Sequence, residues 1–453
     1  MMRSAARWSA ARIGQAVRGL SQALSASAIL WLGFAVFLLY AFPGYMSNDS
    51  VTQLLEARSR QFTNPHPPIM AAEWSILDAI VSGPILMLLL QGALFLHGCA
   101  GVLRRAMSPR VAAAVASAVL VFPPVITTMA VIWKDAQMAA YLVAGTALLL
   151  GERRRTRLIG LVLVTAGCAF RYNAFGAAVP LVFALFEWRP GLRWFQRYAI
   201  SLAAAVAMVV VAFGTNRALT VEAQPLSPTY VDIAGVLAYT HDRSDDELRE
   251  VLRDTPLHST TNIQARARAV LSPRTAWLVD HGDGRVFDHA KTDVQRQALT
   301  RAWKTLVLGD LPAYLAFRRD VFCELIGVTP NDPWGSIYNW FLEMPEQMSY
   351  TEHNATWSQA QGRLSHVYGW FVTETPLFRP YVYIAVALIL LVLCCRDSLT
   401  FALLGSGLTY ELSFFPAAGT PDFRYSQWMI TCTCLAVALL FAQRLRRARV
   451  RPT

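Results

Sequence analysis

Residues 158–187 read LIGLVLVTAGCAFRYNAFGAAVPLVFALFE, an apolar stretch interrupted once, by Arg171-Tyr172-Asn173. A hydrocarbon core of ~30 Å takes roughly 20 apolar residues per helix, so this stretch is either one long helix or two short ones, 158–170 and 174–187. Apolar runs also occupy 24–43, 76–98, 111–132, 135–151, 199–216, 380–395, 399–416 and 426–442. Arginine decides between the two readings, because Lys and Arg accumulate in cytoplasmic loops. With two short segments there are ten spans and both chain ends share one side. Twenty arginines then fall on that side, in 3–18, 104–110, 153–157, 189–197, at 396 and in 444–451. The short outer loops hold only Arg58, Arg60, Lys134, Arg171 and Arg424. A single helix would throw the groups at 189–197 and 444–451 outside. Ten segments, two of them short, is the expectation, with Arg171 at the outer membrane edge.

Composition agrees. Of 453 residues, 55% are apolar and 16% charged, against ~45–50% and ~25% in ordinary soluble proteins. That balance excludes a cytosolic enzyme, a secreted domain and a nucleic-acid binder, and the formal charge of +11 resides in the inner loops. The expected fold is an all-α polytopic membrane protein with one mainly helical extracytoplasmic domain. An N-terminal membrane module covers 1–217, the domain 218–378, and a C-terminal membrane module 379–453. Residues 3–20 are expected as an amphipathic helix on the inner surface, followed by a retained first span.

The domain carries 14 Lys/Arg and 20 Asp/Glu, a net of −6. Ser244-Asp245-Asp246-Glu247 is a capping box that opens a helix over 245–253, and a second helix, 293–308, stops at Gly309. The segment 311–326 is expected to rest on the membrane surface. Trp334, Tyr338, Trp340, Phe341, Trp357, Tyr368 and Trp370 form either a sugar-binding groove or a packed core at the lipid interface. Six cysteines lie in or beside apolar runs and only Cys323 lies in the domain, so no disulfide framework is expected there. No Cys/His spacing resembles a zinc site.

Outside the domain, Glu152, Glu187 and Asp397 sit at the inner face among arginines. The other acids (Asp49, Glu56, Glu73, Asp78, Asp135, Glu411 and Asp422) all map to the outer half, as do Lys134, Arg171, Arg424 and His66. Charge in or near hydrocarbon costs ~2.5–3.5 kcal/mol by insertion scales and is retained where it is paired or used. Convergence of these loops on one edge predicts a single polar cavity opening outward. In the first outer loop, 44–75, Val51, Leu54, Leu55 and Arg58 have helical spacing, and Ser50-x-x-Gln53 makes a capping box that leaves Asp49 just before the helix. Asn64-Pro65-His66-Pro67-Pro68 then stops the chain at a histidine.

An Asp after the first span, a surface helix, and His-Pro-Pro before the second span resemble the GT-C glycosyltransferases, particularly the protein O-mannosyltransferase and lipid A aminoarabinose transferase group. Many members have two adjacent acids where this chain has Asn48-Asp49. Trp303 and Leu311-Pro312-Ala313-Tyr314-Leu315 with Arg318-Arg319 are similar to a block in bacterial members. The resemblance implies a sugar donor on a polyprenyl monophosphate carrier, and makes Asp49 the general base.

Such a transfer needs a base beside an acceptor hydroxyl, worth ~10²–10⁴-fold, and fixed positive charge on the departing phosphate. Asp49 supplies the first. Lys134, Arg171, Arg424 and His66 are candidates for the second, supported by Asn48, Asp135, Asn173, Glu411, Asp422 and Tyr425. Glu411 is expected to orient one of the cations. Lys134 pairing only with Asp135, and Arg424 only with Asp422, is the competing local reading. The expected protein is thus an inverting glycosyltransferase of a bacterial plasma membrane, with both termini cytoplasmic and the site facing the periplasm or exterior. It moves a sugar from a polyprenyl-phosphate lipid to a glycan, lipid or protein acceptor, with no cofactor or nucleic acid called for. Two rivals remain. A secondary transporter is suggested by the interrupted segment around Arg171. A lipid-linked O-antigen ligase or polymerase would instead use Arg and His residues of 218–378.

Overall fold

The computed structural model describes residues 24–223, 227–275, 277–338, 358–394 and 397–450. The expected amphipathic helix at 3–20 lies outside them. Among the described residues the chain is helical, with isolated bridges but no strand. In chain order the helices are α1 (Ala26–Ala41), α2 (Asn48–Ser59), α3 (Ile69–Asp78), α4 (Ile85–Leu103), α5 (Pro109–Val121), α6 (Pro123–Met129), α7 (Lys134–Leu149), α8 (Arg154–Ala169), α9 (Phe175–Leu185) and α10 (Trp194–Leu219). They continue as α11 (Ser227–Tyr239), α12 (Asp245–Val251), α13 (Ile263–Val270), α14 (Asp293–Gly309), α15 (Leu311–Ile326), α16 (Gln359–Glu374), α17 (Pro380–Leu393), α18 (Ser398–Ala417) and α19 (Gln427–Val450).

By length and composition, three helices can cross a membrane: Ile85–Leu103, Trp194–Leu219 and Phe423–Arg447. The pair α5 and α6 qualifies jointly but is bent by 71°. Helices α1, α9 and α17 are apolar but shorter. Large apolar side chains on α1, α8, α10 and α17 are exposed, among them Trp31, Leu39, Val162, Val210, Ile389 and Val392. A soluble protein buries such residues; a helix surface of this kind suits lipid.

Two expected continuous spans are broken, each by proline. The run 111–132 divides at Phe122-Pro123-Pro124, because a residue before proline is pushed out of the helical region; Phe122 has φ −61° and ψ 129°. The run 76–98 divides over 79–84: α3 ends at Asp78 and α4 starts only after Pro84. Gly83 takes φ +101° there, the left-handed region that glycine tolerates. Asp78 holds this turn, accepting from the Gly83 N–H at 2.7 Å and two bonds from Arg58.

Small residues let the helices approach closely. A Cβ on Gly160 of α8 would lie 2.6 Å from the Leu149 nitrogen, and one on Gly98 of α4 2.5 Å from that of Ala144. One core runs through α1–α10 and α15–α19. A second gathers Tyr230, Leu237, Leu248, Val279, Phe287 and Leu306 from α11–α14 and their connections. Helix α15 joins the two. Ala313 packs into the second core, while Phe317, Val321 and Leu325 pack into the first. Arg318 is fully buried, ion-paired to Asp232 of α11 and donating to the Ala418 carbonyl.

Candidate active site

Three backbone devices assemble the site. The first is the strap between the first loop and the chain beyond α6. Tyr45 N–H donates to Ala130 O at 2.9 Å and Ile132 N–H to Tyr45 O at 3.0 Å. The helix break exposes carbonyls on Met129 and Val131, which the Gln91 amide satisfies at 2.6 and 3.1 Å. Ser50 Oγ donates to Ile132 O at 2.8 Å, and Trp133 Nε1 to Ser47 Oγ at 2.7 Å. Together they hold the start of α2 against the start of α7.

The cap of α2 differs from the expected one. Ser47, not Ser50, is the N-cap, in a reciprocal box with Ser50, so the helix begins at Asn48 and Asp49 lies within its first turn. An N-terminal carboxylate is favoured there by the helix dipole. Asp49 nonetheless reaches beyond its helix: Arg424 Nη2 donates to Oδ2 at 2.7 Å and His66 Nε2 is 3.8 Å from Oδ1.

The second device is the turn carrying His66. The Thr63 N–H and hydroxyl both donate to Glu56, and Tyr172 donates to Asn64 O at 2.8 Å. His66 Nδ1 meets Lys134 Nζ at 2.6 Å. An ammonium can only donate, so that contact puts the imidazole proton on Nε2, facing Asp49.

The third device is the break between α8 and α9. Arg171 there ion-pairs with Asp135. Its guanidinium lies 4.4 Å from the Tyr425 ring and 5.1 Å from that of Phe414, which stack at 4.7 Å and 3°. Asn173 accepts from Arg171 Nε and donates to Ser413. Arg424, on the short turn before α19, contacts Asp422 at 2.9 Å and Asp135 at 3.8 Å as well as Asp49, with Trp133 beneath it at 4.5 Å.

Asp49, His66, Lys134, Arg171, Asn173, Arg424 and Tyr425 all line one cavity of about 930 Å³. Asp135 and Asp422 stand behind the arginines. Much of the remaining lining is apolar, with Phe175, Leu412, Phe414, Phe415, Pro416 and Ala417. Three cations thus face three carboxylates, so the cluster is near neutral overall. Burial by itself pushes the Asp49 carboxyl up, but Arg424, with His66 and Lys134, outweighs it and holds Asp49 well below the usual carboxylate range. Burial, then the Lys134 ammonium, pulls His66 down to about 3, so the imidazole is neutral at pH 7. Burial raises Asp422 to about 6 against the pull of Arg424, with Asp135 and Asp49 adding repulsion.

Two expected residues are elsewhere. Asn48 is exposed and outside the cavity lining. Glu411 orients no cation among the described residues; it accepts from Ser426 Oγ at 2.7 Å. Convergence of the outer acids is therefore partial. Asp49, Asp135 and Asp422 share the cations, whereas Glu56, Glu73 and Asp78 take other partners, Thr63, Tyr141 and Arg58. The local pairing of Lys134 with Asp135 gives way to Lys134–His66 and Arg171–Asp135. Trp133 and Phe414 were missed; an aromatic flanking a lone cation in Trp133-Lys134 was the available signal. As for the aromatic stripe, Trp340, Phe341 and Trp357 lie outside the described residues. Tyr368 is buried on Tyr40 at 4.9 Å, Trp334 and Trp370 are exposed, and Tyr338 lies 5.6 Å from Trp133. No family model, curated protein or solved structure matches this chain.

Proposed function

We propose that the protein is an integral membrane glycosyltransferase of the GT-C type, with ten membrane segments and both termini cytoplasmic. It transfers a sugar from a polyprenyl-phosphate donor to a hydroxyl on an extracytoplasmic glycan, lipid or protein. One observation carries the reading: an ionised carboxylate, a neutral imidazole and three cations, drawn from four separate stretches of chain, line one cavity that is otherwise largely apolar. A lipid phosphate has the matching chemistry, an anion on an apolar tail. Guanidinium groups give forked bonds to phosphate oxygens and an ammonium gives a point charge.

In the proposed step the acceptor oxygen attacks the anomeric carbon as the bond from that carbon to the phosphate oxygen breaks. Its electron pair leaves with the phosphate, which Arg171, Arg424 and Lys134 neutralise, and the acceptor proton passes to Asp49. A carboxylate gripped by Arg424 is a weak base. Donor phosphate beside Arg424 takes over part of the guanidinium, loosens that grip and raises the basicity of Asp49 as the acceptor arrives. A single displacement inverts the anomeric centre.

The transporter reading gains one observation, the 71° break between α5 and α6, since broken helices line transporter sites. The test separates the two. Purified protein in lipid nanodiscs or proteoliposomes is given a panel of polyprenyl-phosphate sugars, and free carrier phosphate is measured. The proposal expects release from one donor class in the presence of acceptor. No release from any donor, with uptake of a labelled solute instead, overturns it.

A further inference from the structure

The second core holds a loop, 280–289, whose two ends are tied together at a buried neck. The Val286 and Phe287 N–H groups donate to Val279 O at 2.9 and 3.1 Å, and all three side chains are buried. The strand of chain before α13 fixes the same neck, with His258 N–H on Val286 O at 3.0 Å and Asp288 N–H on Pro256 O at 2.7 Å. Beyond it, the Ala290 N–H donates to the Tyr230 hydroxyl at 3.0 Å. Gly282, at φ +78°, makes the turn. These bonds hold Asp280 and His281, on one side of the neck, against His289 on the other.

The donor atoms of Asp280, His281 and His289 all lie within 4.8 Å of one another. His281 Nδ1 is 2.7 Å from Asp280 Oδ1, and His289 Nδ1 is 4.0 Å from Oδ2. Ligands of a tetrahedral zinc ion, at ~2.0–2.1 Å from the metal, sit roughly 3.3 Å apart, and the two observed spacings straddle that value. Two histidines beside a carboxylate are ordinarily only hydrogen-bonded neighbours. Here the backbone has already closed the loop, so a metal would not have to supply the cost of gathering its ligands. The trio opens on a hollow of about 710 Å³ with room for water ligands. Of the cations lining it, Arg285 is neutralised by Asp288 at 2.6 Å, leaving Lys291 at the rim.

We infer that Asp280, His281 and His289 form a binding site for a borderline divalent transition cation, Zn²⁺ above all, which cross-links the two sides of the 280–289 loop. Imidazole nitrogens with one carboxylate favour such ions over Mg²⁺ and Ca²⁺, which take oxygen ligands. Spacing of the kind read from sequence does not reveal the site, because the neck, not a helix or knuckle, brings residues 281 and 289 together.

The test uses tag-free full-length protein in nanodiscs, Zn²⁺ and a chromophoric chelator as competitor. Wild type is expected to take up one equivalent more Zn²⁺ than His281→Ala or His289→Ala. Zn²⁺ is also expected to raise the melting temperature of wild type but of neither variant, and excess Mg²⁺ to leave the uptake unchanged. Both side chains are about half exposed or more, so the variants keep the fold, which their melting without metal verifies. Equal Zn²⁺ uptake by wild type and both variants, or none by wild type at micromolar Zn²⁺, overturns the inference. Neither readout depends on sugar transfer.

Discussion

Replacing Asp49 by Asn removes a charge while keeping the shape of the side chain, and it separates binding from chemistry. The cluster now sets Lys134, Arg171 and Arg424 against Asp49, Asp135 and Asp422. The variant leaves it one positive charge in excess, with Arg424 still held by Asp422 at 2.9 Å and Asp135 at 3.8 Å, so the fold survives. An uncompensated charge ~4 Å from a phosphate is worth at most ~4 kcal/mol at an effective dielectric constant of ~20. Asp49 is 27% exposed, and screening reduces that further. Donor affinity should therefore hold or tighten, by up to about tenfold. Turnover should fall ~10²–10⁴-fold, the usual loss of a general base, or roughly 3–5 kcal/mol in barrier. Carrier-phosphate release over a range of donor concentrations gives both quantities. Unchanged kcat in a well-inserted variant would end the role of Asp49 as base, and so would a loss confined to donor binding.

Arg171→Lys should weaken donor binding roughly tenfold, because an ammonium cannot both fork to phosphate and lie flat against Tyr425 and Phe414; a donor KM equal to wild type would contradict it. Asp422 titrates at about 6 and Asp49 well below. As pH falls from 7.5 to 5.5 the cluster therefore gains a positive charge while Asp49 stays ionised. A singly charged phosphodiester donor should then bind more tightly, an effect reduced to the smaller contribution of Lys134, itself lowered to about 8 by burial, in Asp422→Asn; equilibrium binding at the two pH values checks this. Arg318→Met should cost about 3–5 kcal/mol of stability by leaving Asp232 buried and unpaired, and Arg318→Met with Asp232→Leu should recover much of it, as thermal unfolding in detergent would report.

Much of the site is legible in the sequence for one physical reason: charge is expensive at a membrane edge, so Lys134, Arg171 and Arg424 stand out in apolar surroundings. Their partners are legible only in part: Arg424 does contact Asp422, its neighbour in sequence. Arg171 reaches Asp135 from another helix pair, and Arg424 reaches Asp49 across almost the whole chain, while sequence proximity suggests Lys134 with Asp135. The first-loop helix is readable from its spacing, but two serines three apart compete for its cap. Ser47 wins because Ser50 is spent on Ile132 O as well as on the box. Composition marks apolar runs and not their interruptions: Pro84 and Pro123 are visible as residues, but the Asp78 cap on the Gly83 N–H and the Gln91 bonds that hold the chain beyond α6 are not. Glu411 shows the opposite limit: a buried acid invites a cation, and the hydroxyl of Ser426, on the short turn before α19, suffices.

The most direct measurement is a cryo-electron microscopy map of the full chain in nanodiscs loaded with a polyprenyl phosphate. The account predicts phosphate density within hydrogen-bond reach of Arg171 and Arg424, with the lipid chain running along Leu412 and Phe415. Saturating lipid that leaves the Arg424–Asp49 pair closed, with density elsewhere, would contradict it.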